Sequence, residues 1–306
     1  MNRYLSCRSE LTAAQIKEEI FTQSYILLLL ATLFWAGNFV WGKYVVTEVT
    51  PFQLTYLRWL FALVLLLPLA QWLERPAWRS FLPQWPQLLI LALAGSFGYN
   101  FFLYTALEYT TSFHAAVINT LNPLFIFIGS ALLLKERLTR RQTAGLIISF
   151  IGVLTVVTKG AVWQILSFSY NFGDALMLLS GLLWAFYTIY GKRACAVPPI
   201  TATALSVFLA TAALTPAALL SPWPSSLSRD ALIGMTYIII FPSALAFVFW
   251  NRALQTIKAA QVGVFANFVV IFTALISLLL GNALLPSEVF GAVIVLGGVY
   301  LTTQTG

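Results

Sequence analysis

The sequence predicts an all-α membrane protein of ten transmembrane helices, built as two inverted five-helix repeats. Three observations predict it. The first is composition: of 306 residues, 60% are hydrophobic and 9% charged, with a mean hydropathy of +0.86. Soluble domains carry roughly 25% charged residues, so this material cannot build a water-facing surface. Apolar runs of membrane-spanning length recur along nearly the whole chain. The second is a one-sided distribution of basic residues among the loops. The third is similarity between the two halves of the chain.

Charges and prolines set the boundaries of the spans. Residues 1–23 are polar and lack the apolar core and small-residue site of a cleaved signal; residues 12–20 fit a short amphipathic helix on the membrane surface. Helix 1 takes residues 25–46, up to Thr47-Glu48, and helix 2 takes 52–73, from Pro51 to Glu74-Arg75-Pro76. Helix 3 takes 88–107, after Pro86 and ahead of Glu108. Helix 4 takes 115–134, ending at Lys135-Glu136-Arg137, and helix 5 takes 143–158, between Arg141 and Lys159-Gly160. Helix 6 takes 175–191, between Asp174 and Lys192-Arg193, and helix 7 takes 200–220, between Pro199 and Pro222. Helix 8 takes 231–253, after Arg229-Asp230; helix 9 takes 259–280, between Lys258 and Gly281-Asn282; helix 10 takes 289–303. The predicted units are a cytoplasmic segment 1–23, a first repeat 24–159 and a second repeat 172–304.

With the N-terminus in the cytoplasm, thirteen basic residues fall on that side: Arg3, Arg8, Lys17, Arg75, Arg79, Lys135, Arg137, Arg140, Arg141, Lys192, Arg193, Arg252 and Lys258. Three fall outside: Lys43, Lys159 and Arg229. That bias in short loops predicts a multi-pass protein of the inner (plasma) membrane with both termini cytoplasmic. It also accounts for the net charge of +7 without nucleic acid, because the basic residues are scattered and form no groove-tracking stripe. Cys7 and Cys195 fall on the reducing side, so no disulfide is expected.

The repeat is read from three matches. Leu33-Phe34-Trp35-Ala36 resembles Leu182-Leu183-Trp184-Ala185, and Tyr104-Thr105-Ala106-Leu107 resembles Asn251-Arg252-Ala253-Leu254. Gly145 and Gly152 recur as Gly291 and Gly298. A unit of five helices is odd, so the halves must enter the membrane in opposite senses; Lys43 outside and Lys192 inside agree. Inverted repeats are a recurring plan of secondary transporters.

The motifs Trp35-Ala36-Gly37-Asn38-Phe39, Pro51 with Leu57-Arg58-Trp59, and Lys135-Glu136-Arg137-Leu138-Thr139 with Gly145 and Gly152 carry a family resemblance. Over residues 25–303 the chain resembles an EamA-type member of the drug/metabolite transporter superfamily. The resemblance implies a ten-helix carrier in which helices 5 and 10 form a peripheral scaffold. Two positions depart from the pattern: Gly281-Asn282 stands where Gly-Glu is usual, and Ser206 stands near the counterpart of Arg58.

Polar groups inside hydrocarbon are costly and mark functional positions. Trp35, Asn38 and Trp41 lie on helix 1 at spacing i, i+3, i+6, and Trp184, Tyr187 and Tyr190 match them on helix 6. Two readings fit: aromatic walls of a pocket for a flat or amphipathic solute, or packing and interface-belt aromatics. Asn119 and Asn122 precede Pro123 on helix 4, and a mid-span proline predicts a kink with a freed carbonyl. Asn100 and Tyr104 on helix 3, Trp250 and Asn251 on helix 8, and Asn267 on helix 9 are further binding candidates, against interhelical hydrogen bonding. Pro242 is a candidate hinge. Gly145, Gly152, Gly291 and Gly298 predict close helix packing. Arg58 reads as structural, paired with carbonyls or snorkelling outward, with a substrate-carboxylate role as the alternative. His114 is the sole histidine and a candidate for proton coupling, against an incidental place at the membrane interface.

The leading functional expectation is a secondary transporter exporting a small organic metabolite, an amino acid or related amphipathic compound, by alternating access. The alternatives are an exchanger of anionic metabolites such as sugar phosphates and a non-transporting membrane partner. No Gly-rich phosphate loop ending in Lys-Ser/Thr is present to use ATP. No metal-ligand cluster, paired carboxylates or activated nucleophile point to an enzyme. Neither cofactor nor metal is expected. The partners implied are a small-molecule substrate and the lipid bilayer, and a monomer and a homodimer are both compatible.

Overall fold

The computed structural model describes residues 13–110, 118–137, 139–167, 171–194, 197–279, 281 and 285–303. Every regular element among them is helical. We number the spans α1 (Ala13–Val45), α2 (Pro51–Leu73), α4 (Asn122–Leu133), α5 (Arg140–Val157), α6 (Phe172–Ala194), α7 (Pro199–Leu220) and α10 (Pro286–Thr303). α3 runs through Trp85–Leu91, a π-helical stretch Ala92–Tyr99 and Asn100–Tyr109. α8 runs through Arg229–Ile238, a π-helical stretch Ile239–Leu245 and Ala246–Leu254. α9 comes in two pieces, Ala259–Phe265 and Phe268–Leu279. Among the described residues nine stretches are long and apolar enough to cross a membrane; α4, with helical residues Ile118 and Asn119 ahead of it, makes the tenth. Arg3, Cys7, Arg8, His114, Cys195 and Asn282 lie outside the described residues.

The helix ends follow from local chemistry. Thr50 caps α2 in a capping box with Gln53, and Thr139 caps α5 in the same way with Gln142. Pro51 and Pro199 occupy first-turn positions, where a missing N–H costs nothing. Two expectations are corrected. Residues from Ala13 onward continue directly into α1, so the predicted surface helix is no separate element but the start of the helix whose apolar span begins at Phe21. Pro123 does not kink a continuous helix: the chain turns at Thr120-Leu121, and Pro123 then opens α4 at its first turn. α9 breaks in the corresponding place, at Ala266-Asn267. The π-helical stretches of α3 and α8 are likewise repeat counterparts. The one in α8 contains Pro242, whose ring and absent N–H rule out regular α geometry there.

Packing between the halves keeps the internal symmetry. α2 lies on α7 and α5 on α10; α3 on α6 is mirrored by α8 on α1, and α4 on α6 by α9 on α1. The glycines behave as expected on α5 and α10. A Cβ at Gly145 would lie 2.5 Å from the Gly298 carbonyl oxygen, and one at Gly152 would lie 2.6 Å from the Val295 nitrogen. Backbone meets backbone there, the close approach that small residues permit between helices in lipid.

At the end of the bundle carrying Arg75, Lys135, Lys192 and Lys258, called here the basic end, carboxylates of the first half cap helices of the second. Glu74 accepts from the Ile200 and Thr201 amides at 2.9 and 2.7 Å, at the start of α7. Glu136 accepts from the Ala259 and Ala260 amides at 3.1 and 3.3 Å, at the start of α9, and pairs with Lys192 at 3.1 Å. Lys192 also donates to the Ile257 carbonyl. Negative charge at helix N-termini satisfies free N–H groups and the helix dipole together. At the opposite end Glu48 accepts from the Ser228 amide at 2.8 Å and hydroxyl at 2.5 Å, so each end of the bundle has its own ties.

Candidate functional site

The middle of the bundle is organised around Arg58. Its side chain is 1% exposed and makes three hydrogen bonds to neutral groups. Nε donates to Ser243 Oγ at 2.7 Å; Nη1 donates to Asn100 Oδ1 at 2.7 Å and to the Tyr104 hydroxyl at 2.8 Å. The Tyr104 hydroxyl in turn donates to Asn38 Oδ1 at 3.2 Å. Among the described residues no carboxylate pairs with Arg58.

The π-helical stretches orient these partners. A wide turn leaves carbonyls without their usual i+4 amides, and polar side chains take them up. Asn100 Nδ2 donates to the Ser96 and Gly95 carbonyls at 3.0 and 3.3 Å, which turns its Oδ1 toward Arg58. The Ser243 hydroxyl donates to the Ile238 carbonyl at 2.6 Å, leaving its oxygen to accept from Arg58. One anion-competent group is thus held by backbone irregularities in both halves.

Beside Arg58 lies a void bounded by Trp35, Asn38, Tyr99, Asn100, Asn119, Asn122, Trp184 and Phe247. It offers 40 Å³ to the centres of water molecules, room for about three of them. Arg58 Nη2 has no partner among the described residues. Asn122 spends its Nδ2 on Asn119 Oδ1 at 2.8 Å, and its own Oδ1 is buried without a partner. The void therefore presents a cationic donor, while Asn122 Oδ1 is packed against Gly181.

The predicted aromatic walls are one packed cluster. Trp35 meets Trp184 edge-on at 5.1 Å between centroids and Trp250 at 5.1 Å, while Phe247 sits at 5.5 Å from Trp184. Trp35 Nε1 donates to the carbonyl of the candidate hinge Pro242 at 3.1 Å. Trp41 and Tyr190 lie elsewhere: Trp41 packs near Val45 and Gly234, and Tyr190 stacks on Phe186. Asn267 is not at the void either; it donates to Ser149 Oγ at 2.8 Å and ties α9 to α5.

Arg58 needs the clearest correction. It does not snorkel and pairs with no backbone carbonyl among the described residues, but is held deep in the bundle by two hydroxyls and the Asn100 side-chain carbonyl. Ser243 and Phe247 were not singled out from sequence. Both stand where the spacing that aligns Tyr104 with Asn251 puts counterparts of Ser96 and Asn100, and that register was the available signal.

Tyr187 and Asn251 line a second void toward the basic end, with Thr203 and Ser206. Asn251 Nδ2 donates to the Tyr187 hydroxyl at 2.6 Å and to Thr203 Oγ1 at 3.0 Å.

The two halves are each matched by the model of the EamA-like transporter family, over residues 22–158 and 171–304. A protein of Archaeoglobus fulgidus named an uncharacterized transporter is 33% identical over 288 residues, 92% of this chain and 98% of that one. An aromatic amino acid exporter of Ancylobacter novellus is 29% identical over 242 residues, 77% of this chain and 81% of that one. A solved crystal structure at 22% identity has the same fold, with a TM-score of 0.77 over 92% of this chain and 97% of that chain. Two matched five-helix halves around a shared polar centre, in a chain clad in apolar side chains, place the protein in the EamA-like transporter family.

Proposed function

We propose that the protein is a secondary exporter of a small amphipathic metabolite bearing a carboxylate, an amino acid or a close relative, working by alternating access. The observation that carries the reading is Arg58: a buried guanidinium held only by neutral partners among the described residues, with one nitrogen left over, beside a void. Burying a cation costs several kcal/mol, and a carboxylate ligand recovers it through charge-assisted hydrogen bonds. Trp35 and Trp184 suit an apolar side chain of the same solute. The relative named an aromatic amino acid exporter supports both the solute class and the direction.

In this arrangement the void holds only about three waters, so a whole solute requires the Trp35–Trp184–Phe247 cluster to part. The repeats 24–159 and 172–304 are the units that rock. We infer from the positive-inside bias that the basic end faces the cytoplasm and that both termini lie there, in the inner membrane. A sugar phosphate finds less support, because Arg58 is the only charged side chain among the residues lining the void.

The test is counterflow in proteoliposomes, with labelled phenylalanine and a panel of amino acids and carboxylates. Accumulation is expected for at least one zwitterionic solute; no flux with any of them overturns the proposal.

A further inference from the structure

The second void is the internal mate of the first. Pro51 and Pro199 both open their helices in the first turn, and counting from them puts Ser206 where Arg58 stands. The repeat likewise puts Asn251 where Tyr104 stands and Tyr187 where Asn38 stands. The mate has no charged residue in its lining. It offers 30 Å³ to the centres of water molecules, about two of them, and the Trp184, Tyr187 and Phe247 rings separate it from the Arg58 void.

Its hydrogen-bonding character is fixed by the network around it. The Thr203 hydroxyl donates to the Pro199 carbonyl at 2.8 Å, so its oxygen can only accept from Asn251. That constraint assigns the amide orientation: Nδ2 faces Thr203 and Tyr187, and Oδ1 is left without a partner among the described residues. Ser206 is 2% exposed, and its Oγ is buried with no hydrogen bond at all. The Asn251 amide carbonyl receives N–H donors and repels an anion, and the spare Ser206 hydroxyl can act as a second acceptor beside it.

We propose that this void is a second ligand subsite, which takes the amine end of a solute at the basic end of the bundle, apart from the Arg58 void. The identification of the ligand with the exported solute rests on the proposed function; the amine selectivity of the subsite does not. The chemical class is a primary amine on an apolar body, since Leu91, Val197 and Leu254 form the apolar wall.

The experiment is calorimetric titration of the full chain in detergent with phenethylamine, which has no carboxylate, and with 3-phenylpropionate, which has no amine. Phenethylamine is expected to bind. Ser206→Ala removes a hydroxyl that has no partner, so the fold is retained, and it weakens phenethylamine about threefold to tenfold. Asn251→Asp puts a negative charge beside the amine and tightens phenethylamine at least about tenfold, a gain that a merely structural asparagine would not produce. Both variants leave 3-phenylpropionate unchanged. Absence of phenethylamine binding, or an affinity that neither variant moves, overturns the proposal. Because binding is read without flux, a failed counterflow with an intact amine response overturns the transport reading alone.

Discussion

Replacing Arg58 by methionine separates a residue that holds the fold from one that holds a ligand. Three acceptors lose a donor in Arg58→Met. Two of them keep an interaction of their own: Ser243 still donates to the Ile238 carbonyl and Tyr104 to Asn38. Only Asn100 Oδ1 is stranded, because Asn100 Nδ2 remains tied to the Ser96 and Gly95 carbonyls. One stranded acceptor costs roughly 1–3 kcal/mol. Against that, the variant no longer buries a cation, which recovers several kcal/mol. The thioether also refills most of the guanidinium's space. The net change in stability is expected within about 2 kcal/mol of zero, a shift of the unfolding midpoint of no more than about 8 °C. Carboxylate binding behaves otherwise. Loss of a charge-assisted contact of roughly 1.5–3 kcal/mol weakens 3-phenylpropionate about 10- to 150-fold, with phenethylamine unaffected. The assay is thermal unfolding of purified protein alongside titration with both compounds. A collapse of the fold would make Arg58 a structural keystone, and an unchanged 3-phenylpropionate affinity would remove it from the binding site; either result refutes the reasoning.

Gly152→Ala forces a methyl to within 2.8 Å of the Gly291 carbonyl oxygen; α5 and α10 must separate, and thermal unfolding should report a loss of roughly 1–3 kcal/mol. Glu136→Gln removes the Lys192 pair and weakens the cap on α9. With Cys7 and Cys195 replaced by serine, a cysteine introduced at Ala260, now 1% exposed, should react faster with maleimide in the Glu136→Gln variant than with Glu136 intact; an unchanged rate would show that Glu136 does not hold this end shut. The Ser228 hydroxyl and amide hold the Glu48 carboxyl below its ordinary 4.5. A depressed folded value means that the Glu48 contribution is complete above 4.5 and lost as pH falls through the lower folded value. Glu48→Gln should therefore flatten the acid end of the unfolding profile, and an identical profile would argue against the tie. Lys258→Cys, in the same cysteine-free background, should be labelled by an impermeant maleimide only from the cytoplasmic side; labelling from outside would invert the topology.

The ten spans were legible because lipid enforces long apolar runs bounded by charge, and inversion followed from an odd number of helices per repeat. The breaks were less so. The Asn122-Pro123 pair announced a disturbance in α4, but α9 is apolar on both sides of Asn267 and reads as one unbroken span. Trp41 and Tyr190 were misassigned for a geometric reason. Each residue of a helix advances about 100°, so position i+6 lies about 120° from position i, on a different face from Trp35 or Trp184. Asn38 and Tyr187, at i+3, stay within about 60° and each lines a void, Asn38 the one at Arg58 and Tyr187 the second. The neutral company of Arg58 was out of reach of local reading, since Ser243 arrives from the other half of the chain, 185 positions away.

The two wide turns also mean that α3 and α8 each contain slack. A π-helical turn accommodates one residue more than a regular turn; if it relaxes, everything beyond it advances about 1.5 Å and rotates about 100°. In α3 the residues beyond the slack are Asn100 and Tyr104, and in α8 they are Phe247, Trp250 and Asn251. Migration of the slack along either helix would carry the arginine's partners out of register and the plugging rings out of line in a single step. Such a screw motion would change access and affinity together, and a solute bound to Arg58 would oppose it.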